Sequence, residues 1–271
     1  KEKSKDFTRF SPRAALVYMV NNDFSLKAMF GQAFRAPAPT EMFGSHTFSL
    51  GSNIEELEPE IITTGEFAFD WIINKNFNFR ANIFHTKFEN QIAYSTQNNN
   101  LSTNIYTSTN QGLETELLFG NKRLTGFINL SYVIRSEEEI LDSTITEEDE
   151  LTWETPLKAN FGFSYILRQL RFSLSGHYHA PVKRRDSDKG IEILPLGVGV
   201  ALDMDKYRSK EVENWLTIDL NLNYKITSHL TLGASAVNLF DQEYYLIKNI
   251  GFPFDYRQET RRYHVYLSLM L

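Results

Sequence analysis

The chain has 271 residues, 42% apolar and 14% aromatic, which is too much hydrophobic surface for a disordered segment. Its 34 acids against 28 bases give a net charge of −6 with no basic stripe, so nucleic acid is not an expected partner. The sequence has no Cys, hence no disulfide, thiolate metal site or Cys nucleophile, and no apolar run approaches the roughly 18 residues that a membrane helix needs.

Helical periodicity is nearly absent, whereas a period of two recurs from end to end, which marks strands with two unlike faces. About eleven strands are predicted, near 10–20, 24–37, 58–73, 77–94, 104–119, 124–138, 155–167, 170–180, 214–226, 230–245 and 258–271. In "WLTIDLNLNYKI", Leu216, Ile218, Leu220, Leu222, Tyr224 and Ile226 oppose Thr217, Asp219, Asn221, Asn223 and Lys225. In "LKANFGFSYIL", Leu157, Ala159, Phe161, Phe163, Tyr165 and Leu167 oppose Lys158, Asn160, Gly162 and Ser164.

The connections alternate in length. Tight polar turns at "NND", "NKN", "GNKR", "RQ" and "TSH" take turns with long polar loops at 38–57, 95–103, 139–154, 181–213 and 246–257. Greek-key sandwiches do not sort their connections to opposite ends, but a membrane barrel does, with short periplasmic turns and long extracellular loops. The expected fold is therefore all-β, a transmembrane antiparallel up-and-down barrel in the outer membrane. Trp71, Tyr18, Phe119, Tyr132, Tyr178, Trp215 and Tyr224 lie near strand ends, as an aromatic girdle at the lipid headgroups requires. An odd number of strands cannot close a bacterial barrel, and "KEKSKDF" is no export signal. Further strands are thus expected before Lys1, about twenty-two in all, around a lumen too wide for side chains to fill.

Four segments in order resemble the TonB-dependent outer-membrane receptors of Gram-negative bacteria. "SLKAMFGQAFRAPAPTEMFGS" (25–45) is similar to the family's strand and loop in which Arg-Ala-Pro follows an aromatic. "LEPEIITTGEFAFDW" (57–71) is similar to the next strand, opened by Pro-Glu, with Glu66 expected inward. "NQGLETELLFG" (110–120) carries the Asn-x-Gly-x-Glu pattern, and "ASAVNLFDQEYY" (234–245) resembles the penultimate strand with its Asn-Leu-Phe-Asp. The resemblance implies that residues 1–271 are the C-terminal part of a twenty-two-stranded barrel, with the plug domain and first strands outside this chain. It departs in ending at Leu271, where family members commonly end in an aromatic.

Several residues are candidates for contact with a ligand. Arg35 offers a guanidinium fork for an anion, or pairs with a carboxylate such as Glu41 or Glu66. His46, flanked by Phe43 and Phe48, has the character of a haem or iron ligand, although no Asn-Pro-Asn-Leu box precedes Pro59. His177 and His179 share a strand face without an evident third metal ligand, and a polar lumen wall explains them more simply. Lys183, Arg184 and Arg185 in "KRRDSDK" suit an anionic chelate or lipopolysaccharide phosphates, or a solvated loop tip.

The resemblance implies an active importer of a scarce nutrient, foremost an iron chelate of the siderophore type, energised by the TonB complex of the inner membrane. Outer-membrane lipid and lipopolysaccharide are the expected surroundings. A haem or cobalamin receptor of the same family and a passive channel are the alternatives. An enzyme is not expected, because the sequence has no Gly-x-Ser-x-Gly and no Ser, His and Asp constellation. No cofactor is implied.

Overall fold

The computed structural model describes residues 6–43, 57–95, 101–141, 155–183, 190–193, 200–203, 209, 211–247 and 254–270. Eight strands follow one another: β1 (Arg13–Met19), β2 (Phe24–Arg35), β3 (Glu60–Asn74), β4 (Phe77–Ser95), β5 (Leu101–Gly120), β6 (Leu124–Ile140), β7 (Leu157–Leu167) and β8 (Leu170–His179). A five-residue helix, α1 (Pro39–Phe43), follows β2. Four short strands come next, β9 (Val182–Lys183), β10 (Gly190–Ile193), β11 (Val200–Asp203) and β12 (Glu211–Val212). Then come β13 (Trp215–Lys225), β14 (Leu230–Val237), β15 (Tyr245–Leu246), β16 (Tyr256–Arg257) and β17 (Arg262–Leu269).

Eleven of these form one antiparallel sheet in the order β1-β2-β3-β4-β5-β6-β7-β8-β13-β14-β17, each strand paired with its neighbours in sequence. The short strands pair locally on the long-loop side, β9 with β12, β10 with β11 and β15 with β16. The short turns are built by side chains that substitute for backbone. Asn21 accepts from the Asp23 N–H at 2.8 Å, Asn121 from the N–H groups of Arg123 and Leu124 at 2.8 and 3.0 Å, and Thr227 from Leu230 at 3.0 Å. Such local bonds let the chain reverse in a few residues. Arg168, at φ 56°, supplies the left-handed residue for the two-residue turn between β7 and β8.

Few apolar side chains are buried among the described residues. Among the described residues Leu57 is the one large side chain that is fully buried, while Phe67, Trp71, Ile83, Leu216, Tyr224, Leu232 and Leu267 are all well exposed. A sandwich would bury these residues against a second sheet, whereas an apolar face of this extent belongs in lipid. Register confirms that they share one face, since Phe24 lies opposite Trp71, Trp71 opposite Phe79, and Phe77 opposite Phe119. Tyr18, Trp71, Phe119 and Tyr224 face outward near the short turns, and Tyr132 and Tyr178 face outward towards the other end. From Leu216, opposite Tyr178, to Tyr224 is eight residues on β13. That is about 27 Å of strand, or roughly 20 Å of height at a barrel tilt, close to the apolar band of an outer membrane.

Trp215 departs from the expected girdle. It has the parity of Thr217, Asp219 and Asn221 and therefore lies on the inner, polar face. That face also carries a ladder of charge across four strands. Asp70 takes Lys27 on one side and Arg80 on the other at 3.4 Å, and Arg80 reaches Glu116 at 3.0 Å. Alternating signs set each charge beside an opposite one along this partly exposed face. On β14 the inner face uses Gly233, because the Tyr266 ring lies where a Cβ would be, while the Tyr266 hydroxyl donates to Asn223 at 2.5 Å.

Candidate functional site

The long-loop end of the sheet gathers two clusters. The first is built around Arg35, the last residue of β2, and Glu60, the first of β3, which the register sets opposite each other. The Arg35 Nε donates to Glu60 Oε2 at 2.5 Å, and its two terminal nitrogens donate to the two oxygens of Glu41 at 3.0 Å each. Glu41 also accepts the Ala38 N–H at 2.6 Å, reaching back over the first turn of α1 as a capping residue does. Glu60 takes a further N–H from Ile92 at 2.8 Å. The bulge between Phe88 and Ile92, with Asn90 at φ 59°, turns that N–H out of the ladder.

Glu60 stands fourteen residues above Asn74, at the β3–β4 turn. This is about 35 Å of height, clear of an apolar band of about 25 Å. Burial alone would push its carboxyl up. The Arg35 fork and the Ile92 N–H outweigh that and hold it below the usual carboxylate range. Arg35 is correspondingly raised, by its bonds to Glu60 first and Glu41 second. Three nitrogens of the Arg35 side chain are thus committed to two carboxylates, Glu41 and Glu60. Glu66, the other partner weighed from sequence, instead accepts from Asn82 at 3.0 Å on the lumen wall.

The second cluster is a run of rings. His179 ends β8 and Trp215 begins β13 directly opposite, and their rings stack at 4.5 Å and 8°. Tyr244 lies 4.4 Å from Trp215 at 39°. Asn238 holds Tyr244 there. It is 3% exposed at φ 49°, its N–H donates to Asp219 at 2.8 Å, and its amide brackets Gln242 through bonds of 2.9 and 2.8 Å. Asp241, at φ 57°, accepts the Arg261 N–H at 2.8 Å and ties the same turn to the chain leading into β17. The Asn-Leu-Phe-Asp pattern is therefore a latch across β13, β14 and β17. The Tyr244 hydroxyl is pushed up by burial and then by the carboxylates of Asp219 and Glu259.

Below this rim, on the inner face, lies a concavity of about 570 Å³ lined by Phe127, Ser173, Ser175, Asp219 and Asn221. Of the remaining residues singled out from sequence, His177 bonds Asn160 at 2.7 Å, next to His179 on the inner face. Among the described residues no three His, Cys, Asp or Glu side chains gather as a metal site. Phe43 is half exposed at the end of α1, and Lys183 pairs in register with Glu211. His46, Phe48, Arg184 and Arg185 lie outside the described residues. Sequence reading did not find Tyr244 or Glu60. The parity of Trp215 was the available signal for the ring cluster.

The family model described as "TonB dependent receptor-like, beta-barrel" matches residues 1–239. The chain belongs to the TonB-dependent receptor family. It is an outer-membrane β-barrel chain, and the family is one of transport receptors, not enzymes. Among curated proteins, the Hemoglobin-haptoglobin-binding protein A of Haemophilus influenzae is 26% identical over 243 residues, covering 82% of this chain and 22% of that protein. The ferripyoverdine receptor of the outer membrane of Pseudomonas aeruginosa superposes with a TM-score of 0.69 at 17% identity, over 97% of this chain and 33% of its own. The copper transporter OprC gives 0.67 at 18% identity, over 94% and 37%. The chain thus spans between about a fifth and two fifths of the length of these relatives.

Proposed function

We propose that this chain forms about half of the wall of a ligand-gated importer whose extracellular loops capture a metal chelate of the siderophore type. The inner face then passes it inward. The remaining strands would join the two edge strands β1 and β17, each paired on one side and exposed along its length. A separate plug would fill the lumen, and the TonB complex of the inner membrane would move it. The observation that carries this reading is the division of one continuous sheet into an apolar outer face and a charge-paired inner face within a receptor family.

Haem is the second reading, favoured by the relationship to a protein named for binding hemoglobin and haptoglobin. The test is growth of a receptor-deletion strain, complemented with the whole gene, on defined sources of iron. Rescue on ferric siderophores alone supports the first reading, and rescue on haemoglobin alone supports the second. Growth equal to that of the deletion strain on every iron source would refute both.

A further inference from the structure

Beside the ring cluster, the loop strands enclose a second cavity of about 390 Å³, within the range of small-molecule sites. Four rings line it, Trp215, Tyr244, Tyr245 and Phe254. Among the described residues its charged lining consists of Glu213, Glu243 and Asp255, with no Lys or Arg. From outside the lining Arg257 approaches Glu243 at 3.5 Å, and Glu243 also accepts from the Tyr245 hydroxyl.

We propose that this cavity at the outer mouth binds an organic cation, free or as the cationic arm of a larger ligand. Resting on the importer reading, this assigns a charge class to what the mouth accepts. Two independent properties of the lining select the same sign. Ring faces carry negative quadrupoles that attract ammonium and guanidinium groups, and Tyr245 and Phe254 add two further rings to the pair of Trp215 and Tyr244 at this lining. The carboxylates of Glu213, Glu243 and Asp255 add to that field, with Glu243 offset in part by Arg257 at 3.5 Å. The Asn238 latch and the His179 stack fix Tyr244 and Trp215 in advance, so little ordering is needed on binding. The expectation is opposite in sign to the anionic ligand suited to Arg35, whose nitrogens are already taken by Glu41 and Glu60.

Saturation-transfer NMR on the whole receptor in nanodiscs tests this with choline and its uncharged carbon isostere, dimethylbutanol. Choline is expected to saturate, with the isostere weaker by roughly ten-fold. Glu213→Gln with Phe254→Ser, both at exposed positions, is expected to weaken choline several-fold without altering the fold. Equal binding of the isostere, no choline binding, binding indifferent to the double substitution, or competition by citrate would each overturn the proposal. Iron uptake that persists without choline binding would sink only this inference. Choline binding without uptake of any chelate would sink only the importer reading.

Discussion

Replacing Asn238 separates what its side chain does from what its backbone does. Asn238→Gly keeps the left-handed conformation at φ 49° but removes the two bonds to Gln242, of 2.9 and 2.8 Å, and the longer one to Glu259. At about 1 kcal/mol net for each good bond the loss is about 2 kcal/mol. Asn238→Ala adds the Cβ strain of the left-handed region, for about 3 kcal/mol in total. The two shorter bonds lie within residues 238–242, so the loss appears as local opening and not as global unfolding. Hydrogen exchange of the 238–247 segment in nanodisc-embedded receptor should rise roughly 30-fold for Gly and roughly 100-fold for Ala. Trp215 emission should shift to the red as Tyr244 leaves it. Exchange in the Gly variant within about three-fold of the parent, or equal effects of Gly and Ala, would refute the latch.

The Arg35 clamp gives a pH prediction. The Glu60 carboxyl is held below its ordinary range, so its contribution is complete at neutral pH and is lost as pH falls through the depressed value. Proteolysis of the α1 loop should stay flat down to about pH 4.3 and rise only below it, and an earlier rise would contradict the assignment. Arg35→Lys cannot hold both Glu41 and Glu60 and should speed the same cleavage by about ten-fold at neutral pH. Gly233→Ala should destabilise the folded receptor by about 1 to 3 kcal/mol in urea unfolding, and Tyr266→Ala should recover part of it in a double-mutant cycle. Leu220→Arg, in mid-strand on the outer face, should cost about 2 to 4 kcal/mol of membrane folding energy, and its neighbour Asn221→Arg less than about 1.

Most of the wall was legible because each strand reports two solvents at once. The parity on β13 is kept, although Ile218 on the apolar face is buried, and the eleven predicted strands are the eleven of the sheet. Ends proved harder to place where single residues decide them. The strand predicted over 230–245 stops at Val237 because Asn238 turns left-handed, a conformation Asn tolerates, so sequence allows it without requiring it. Position near a strand end argues for Trp215 in the girdle, whereas its parity with Thr217 and Asp219 puts it inside. Choosing Glu60 over Glu66 as the partner of Arg35 depends on the register between β2 and β3. The long loop between those strands hides that register from periodicity, because either acid lies on a plausible face until the pairing is fixed.

A nitroxide scan of residues 216–225 on β13 in bilayers is the most direct trial of the two-faced wall. Collision with oxygen should peak at Leu216, Ile218, Leu220, Leu222 and Tyr224. Collision with a water-soluble nickel chelate should peak at the intervening positions, the two curves running out of phase with a period of two. Low access to both reagents along the apolar positions would mean a dry protein interior and would contradict the account.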